Sequence, residues 1–138
     1  MEANGNLASN NSPRILIVDD EEAFLVTTAE HFVGLGYEVH SAREREEAVA
    51  LINHFEYALV ITDLALTHIG LAGFDVLKEI AEHHLRPKVV VLTGHYEPKV
   101  ETEARRQGVD VFLRKPQRLT DLASVAASLL SCSGPGMA

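Results

Sequence analysis

The chain lacks the features that mark disulfide-bonded, membrane-spanning and nucleic-acid-binding proteins. It has one cysteine, Cys132, in 138 residues, so it cannot form an internal disulfide. Its apolar runs fall far short of the roughly 20 residues that a membrane span requires. The 12 basic side chains are outnumbered by 20 acidic ones, and the net charge of −8 argues against direct binding to nucleic acid. We expect a soluble domain without membrane contact. A lone thiol suits the cytoplasm, where thiols stay reduced, so we expect a cytoplasmic location.

The two ends of the chain differ in composition from its middle. Residues 1–12 are rich in Asn and Ser and contain no apolar stretch, which is unlike a signal peptide. We predict a disordered N-terminal tail there, one folded domain over residues 13–131, and a flexible tail or linker over residues 132–138. A hydrophobic fraction of 46% is sufficient for one core.

Between the tails, five short apolar runs alternate with five segments of helical periodicity. The predicted strands are Arg14–Val18, Tyr37–Ala42, Tyr57–Thr62, Lys88–Leu92 and Val109–Leu113. In the first helix the apolar stripe consists of Phe24, Thr28, Phe32 and Leu35. This alternation favours right-handed βαβ units, and therefore an α/β fold with a doubly wound, five-stranded parallel sheet covered by helices on both faces.

Polar residues follow the predicted strands at their carboxyl ends. They are Asp19, Asp20, Asp63, Thr93 and Lys115. In a parallel sheet these ends share one edge, which is where doubly wound folds bind ligands. Carboxylates packed together repel one another unless a cation joins them, and hard oxygen ligands suit Mg²⁺. An ammonium and a hydroxyl beside them suit a phosphate group.

These residues lie in four fragments that resemble the receiver domains of bacterial two-component response regulators. The fragments read Ile-Leu-Ile-Val-Asp-Asp at 15–20, Leu-Val-Ile-Thr-Asp at 59–63, Val-Leu-Thr-Gly at 91–94 and Phe-Leu-Arg-Lys-Pro at 112–116. Each is weakly specific alone, but together and in this order they are specific. The resemblance runs from about Arg14 to Leu130 and implies the flavodoxin-like strand order 2-1-3-4-5.

The resemblance also implies a phosphorylation site. Asp63 would be the phosphoacceptor, and Mg²⁺ (or Mn²⁺) would be held by Asp19, Asp20, Asp63 and the backbone carbonyl of Ala65. The phosphoryl donor would be a sensor histidine kinase or a phosphotransfer protein in a phosphorelay. The chemistry would be limited to the domain's own phosphorylation and autodephosphorylation, so we do not expect an enzyme that acts on other substrates.

A conformational switch is the second implication of the resemblance. Thr93 and Lys115 would contact the phosphoryl group, Thr93 and Phe112 would move together, and the bond before Pro116 would be cis. The surface of the fourth helix, fifth strand and fifth helix would then control a downstream effector or an output domain, or form a homodimer. The chain would be either a stand-alone regulator or a piece of a larger one.

The segment after Asp63 departs from the family pattern. It lacks the usual Met-Pro, and Gly73 lies about two residues further on than is usual, which predicts a longer loop. Ala65 has no polar group to orient a water molecule, so we hypothesise slow intrinsic dephosphorylation, although His95 lies at a position that can also reach the water path. A phosphoryl lifetime of seconds in the purified protein would refute the hypothesis.

Simpler explanations and other functions stay open for the same residues. Acidic residues that precede a helix often serve only as N-caps, and Phe112 is simply a core aromatic if it does not switch. The seven histidines share no motif and suit surface positions. A receiver-shaped scaffold that never takes phosphate is one alternative function. A metal-dependent phosphohydrolase is another, although the run from Asp63 to Ala65 lacks the second carboxylate that it would need.

Overall fold

The computed structural model describes residues 12–65, 73–94 and 96–132. In these residues five strands alternate with five helices. The strands are β1 (Arg14–Val18), β2 (Glu38–Ala42), β3 (Leu59–Thr62), β4 (Lys88–Thr93) and β5 (Val111–Arg114). The helices are α1 (Glu22–Gly34), α2 (Arg45–His54), α3 (Gly73–Ala81), α4 (Pro98–Arg106) and α5 (Leu119–Cys132).

The five strands form one parallel sheet in the order β2-β1-β3-β4-β5, which confirms the order that the family resemblance implies. The central strand β1 pairs with β2 on one side and with β3 on the other. Strands β4 and β5 continue the sheet on the β3 side, with Thr62 opposite Val91 and Thr93 opposite Arg114. The carboxyl ends of all five strands therefore lie along one edge.

The sheet separates two apolar layers because successive strand residues point to opposite faces. Leu16, Val60 and Val91 face α2, α3 and α4, which contribute buried residues such as Ile52 and Leu77. On the other face, the alternate strand residues pack against α1 and α5, with Phe32 and Leu122 fully buried. Both faces are thus covered, which explains why the central strands are apolar throughout.

The ends of several elements differ from the predicted ones by one or two residues. Strand β5 begins at Val111, two residues later than predicted. The preceding residue, Asp110, contacts β4 twice: its backbone N–H donates to the carbonyl of Val89, and its carboxylate accepts from the N–H of Val89. Helix α1 ends at Gly34, and Gly36 then adopts a positive φ of 103°. Leu35 is therefore exposed, so its predicted place in the apolar stripe of α1 is wrong.

The predicted domain boundaries fall close to the ends of the described chain. Helix α5 continues through Cys132, one residue beyond the predicted domain end at residue 131. Residues 1–11 and 133–138, which hold nearly all of the two predicted tails, lie outside the described residues. Within the described part, no helix combines the length and the apolar character needed to cross a membrane.

Candidate functional site

Two buried carboxylates lie side by side at the carboxyl edge of the sheet. Asp19 directly follows β1 and Asp63 directly follows β3, and their side chains are buried, with residue exposures of 1% and 6%. Because Val18 and Thr62 are paired across these neighbouring strands, the next residue of each strand emerges at the same level. The backbone N–H of Asp63 also donates to the carbonyl of Val18, at 2.9 Å.

Each carboxylate is held by a backbone N–H two residues further along the chain. Oδ1 of Asp19 accepts from the N–H of Glu21 at 2.9 Å, and Oδ1 of Asp63 accepts from the N–H of Ala65 at 3.0 Å. These bonds close short turns that leave the strand and fix the orientation of each carboxylate. In both residues the second oxygen, Oδ2, is left to face the pocket.

Lys115, which follows the edge strand β5, contacts both carboxylates. Its Nζ lies 2.6 Å from Oδ2 of Asp19 and 3.2 Å from Oδ2 of Asp63. The backbone N–H of Lys115 donates to the carbonyl of Thr93, and the bond between Lys115 and Pro116 is cis. With a side-chain exposure of 22%, the ammonium is mostly withdrawn from water. Residues from β1, β3 and the end of β5 thus meet at one point.

The pocket holds more negative than positive charge. Burial raises the pKa of the Asp19 carboxyl from its ordinary value, and hydrogen bonds from Lys115 and from the Glu21 backbone offset only part of that rise. Burial by itself lowers the pKa of Lys115, but the bonds and charges of Asp19 and Asp63 outweigh burial, so the pKa of Lys115 is also raised. Burial is thus the main cause of the raised pKa of Asp19, whereas contact with the two carboxylates is the cause of the raised pKa of Lys115.

This donor set fits a hard divalent cation. Two carboxyl groups and one lysine give the largely buried pocket a formal charge of −1, and carboxylate oxygens are the ligands that Mg²⁺ prefers. The side chain of Asp20, by contrast, is exposed. Across residues 12–65, 73–94 and 96–132 no three Asp, Glu, His or Cys side chains are arranged to hold a metal ion. The structure therefore brings together two of the three predicted metal-binding carboxylates, with Lys115 between them.

The predicted switch residues lie in β4 and β5. Thr93 is fully buried at the end of β4, and Phe112 is buried in β5 opposite Val91. The ring of Tyr96, which precedes α4, meets the ring of Phe112 edge-on, with centroids 6.1 Å apart. The guanidinium of Arg114 lies over the ring of Tyr96, 4.5 Å from its centroid. His95 and residues 66–72 lie outside the described part of the chain.

Three residues near the pocket were missed by the sequence analysis as contributors to the site. The ring of Phe24 in α1 lies 4.8 Å from Nζ of Lys115, although its helical spacing predicts only a core position. Gly73 is buried where α3 meets the backbone of Asp63 and Leu64, although the sequence indicates only a loop glycine. Tyr96 packs on Phe112, and nothing in its sequence position signals that contact.

Comparisons with known proteins identify the family to which this fold belongs. A family model described as the response regulator receiver domain matches residues 15–127. The regulatory protein AtoC of Escherichia coli is 31% identical over 109 residues, which are 79% of this chain and 23% of AtoC. The transcriptional regulatory protein SrrA of Staphylococcus aureus is 30% identical over 105 residues, which are 76% of this chain and 42% of SrrA.

A solved structure gives the same result. The CheY-like response regulator receiver domain of Methanospirillum hungatei is 27% identical, has a TM-score of 0.82, and covers 88% of this chain and 95% of its own. The chain spans less than half the length of AtoC and SrrA. The range matched by the family model, residues 15–127, includes Asp19, Asp63 and Lys115. The chain belongs to the response regulator receiver domain family of two-component systems.

Proposed function

We propose that this domain accepts a phosphoryl group on Asp63 from a histidine kinase or a phosphotransfer protein. The observation that carries the proposal is the setting of the Asp63 carboxylate: it is buried, oriented by the N–H of Ala65, and placed 3.2 Å from the ammonium of Lys115. A carboxylate oxygen of Asp63 attacks phosphorus, the bond from phosphorus to the donor breaks, and the leaving group departs with its electron pair. The product is an acyl phosphate on Asp63.

Lys115 supplies the positive charge that such a transfer needs. A carboxylate and a phosphoryl donor repel each other, and a fixed cation in a water-poor pocket lowers that repulsion. Its Nζ already lies within hydrogen-bonding distance of Asp63, so it needs little movement to meet a phosphoryl oxygen. Asp19 keeps the ammonium in place through the shorter of the two contacts.

The same pocket would bind Mg²⁺, or Mn²⁺ in its place. Asp19, Asp20 and Asp63 and the backbone carbonyl of Ala65 would hold the ion, and the net negative charge around Lys115 favours a divalent cation. When bound, the ion would neutralise the charge that gathers on the phosphoryl oxygens. Asp20 follows Asp19 directly, so a local change in the exposed Asp20 side chain would bring a third carboxylate to the pocket.

Phosphorylation would then change the surface formed by α4, β5 and α5. We propose that Thr93 donates its hydroxyl to the phosphoryl group and that Phe112 moves inward with it. Two features support movement here: Ala104 is the buried residue of α4, so this helix has few packing anchors, and Phe112 carries no hydroxyl that burial would leave without a partner. The changed surface would control an effector protein, an output domain or a second copy of the chain.

Phosphorylation is tested by incubating the purified protein with acetyl phosphate and Mg²⁺. Intact-protein mass spectrometry should show the gain of one phosphoryl group, and chelation of Mg²⁺ with EDTA should abolish the gain. Asp63→Asn should also abolish it. Asp121→Asn is the matched control, because Asp121 is an exposed carboxylate on α5 that does not belong to the pocket, and this variant should be phosphorylated like the wild type.

Three results would contradict the proposal. If Asp63→Asn gains the phosphoryl group as the wild type does, the acceptor is another residue. If the protein takes up no phosphoryl group and its NMR spectrum is unchanged by BeF₃⁻ with Mg²⁺, the domain is a scaffold that acts without phosphate. Repeated turnover of a phosphoester would instead indicate a phosphohydrolase.

A further inference from the structure

The ammonium of Lys115 has a third neighbour besides the two carboxylates. Nζ lies 4.8 Å from the centroid of the Phe24 ring, which is within the distance at which a cation is attracted to an aromatic face. Phe24 lies in the first turn of α1 and is half-buried. Because α1 begins three residues after Asp19, one short segment positions both the carboxylate and the ring that contact Lys115.

The three contacts match the bonding capacity of an ammonium group. Nζ carries three N–H donors, and Asp19 and Asp63 account for two of them at 2.6 and 3.2 Å. The electron-rich face of Phe24 lies next to the same nitrogen. Because a lysine side chain is flexible by itself, the groups that contact its ammonium, here two carboxylates and the Phe24 ring, are the ones able to restrict it.

We propose that Phe24 is a positioning residue that holds the Lys115 ammonium where it meets an anion on Asp63. The ring limits the rotamers of Lys115 and shields its charge from water, so the cation is in place before the anion arrives. The role in anion binding rests on the proposed function. The ring contact with Lys115 in the unliganded protein does not, and it is tested separately.

An ordinary packing role makes a different prediction from this one. Phe24 also packs at the margin of the apolar layer between α1, α5 and the sheet, and leucine would fill that margin almost as well. Leucine has no electron-rich face, whereas tyrosine keeps one. Phe24→Leu and Phe24→Tyr therefore separate packing from attraction to the cation.

The contact is tested by NMR of the unliganded protein. The ring should shift the Hε resonances of Lys115 upfield of those of Lys78, Lys88 and Lys99, whose side chains serve as internal references. Phe24→Leu should abolish this shift and Phe24→Tyr should retain it. If the Lys115 resonances are the same in the wild type and in Phe24→Leu, the contact does not exist and the proposal is refuted.

Anion binding is tested by titrating BeF₃⁻ in saturating Mg²⁺ and following the amide spectrum. Loss of an attraction of this kind should weaken BeF₃⁻ binding roughly three- to tenfold in Phe24→Leu, with binding restored in Phe24→Tyr. Thermal unfolding of each variant checks that it is folded at the temperature of the titration. Equal affinity in the wild type and Phe24→Leu, or equal weakening in both variants, would refute the positioning role.

The two tests separate this inference from the proposed function. If the wild type shows no response to BeF₃⁻, the proposed function fails and the anion-binding role of Phe24 fails with it, while the Lys115 resonances still decide whether the ring contact exists. If the wild type responds and Phe24→Leu responds equally, only the role of Phe24 is refuted.

Discussion

A β-carbon at Gly73 would collide with the backbone carbonyl of Asp63 and lie 2.5 Å from Cα of Leu64. The N–H of Gly73 also donates to the carbonyl of Leu64, at 2.8 Å. The first residue of α3 is thus in direct backbone contact with the segment that carries Asp63. Only glycine allows the helix to begin so close to the acceptor strand.

Gly73→Ala should therefore destabilise the fold and disturb Asp63. Overpacking against a backbone that cannot move away should lower the free energy of unfolding by about 1–3 kcal/mol, measured by urea denaturation. Gly34→Ala is the matched control, because a β-carbon at Gly34 has nothing within 4 Å and alanine suits a helical position. Equal stability of Gly73→Ala and the wild type would show that the two segments are free to separate.

Thr28 offers a stabilising substitution. Its side chain is fully buried on α1, and among the described residues its Oγ1 is a buried polar atom without a hydrogen-bond partner. Valine has the same shape and removes that hydroxyl, so Thr28→Val should raise the free energy of unfolding by about 1 kcal/mol. In the neighbouring exposed control, Thr27→Val, the change should stay within about 0.5 kcal/mol in either direction. A loss of stability in Thr28→Val would mean that the hydroxyl has a partner in solution.

Stability should fall at high pH because of Tyr57. This residue is 7% exposed, its hydroxyl lies 2.6 Å from Nδ1 of His40, and burial raises its pKa to about 12. A phenol ionises near pH 10 in the unfolded chain, so the folded state binds this proton more tightly. The contribution is complete below pH 10 and is lost as the pH rises from 10 to about 12.

The loss assigned to Tyr57 should amount to about 1–2 kcal/mol in urea unfolding at pH 12 relative to pH 9. Tyr57→Phe cannot ionise at this position and should lose less stability between pH 9 and pH 12. All other groups that titrate in this pH range are the same in both proteins, so the difference reports on Tyr57. The same pH dependence in both proteins would assign the loss to other residues, such as Lys115.

The stack of Arg114, Tyr96 and Phe112 should depend on the charge of Arg114. Arg114→Met keeps an apolar stem over Tyr96 but removes the cation, which is 4.5 Å from the ring centroid. At this exposed position the free energy of unfolding should fall by about 0.5–1 kcal/mol, and the aromatic resonances of Tyr96 should shift. Arg118→Met, which replaces another exposed arginine, should change neither. Unshifted Tyr96 resonances in Arg114→Met would show that the two side chains do not stack.

Much of the fold can be predicted from the sequence because it follows from local patterns. Continuous apolar strands such as Leu59–Thr62 indicate a sheet that is buried on both sides, and turn residues such as Gly36 end the helices. The error at Leu35 arises where the helical period continues past the residue at which the backbone leaves the helix. A periodic pattern carries no information about that departure.

The sequence by itself determined the alternation of strands and helices along the chain. It also placed Asp19, Asp63, Thr93 and Lys115 at the carboxyl ends of strands, and these ends share one edge because the strands are parallel. Only the tertiary structure decided which of these side chains touch. It paired Asp19 and Asp63 through Lys115, left Asp20 exposed, and brought Phe24 and Gly73 to the pocket. Contacts of this kind depend on side-chain direction and on the close approach of distant backbone segments, which no local pattern encodes.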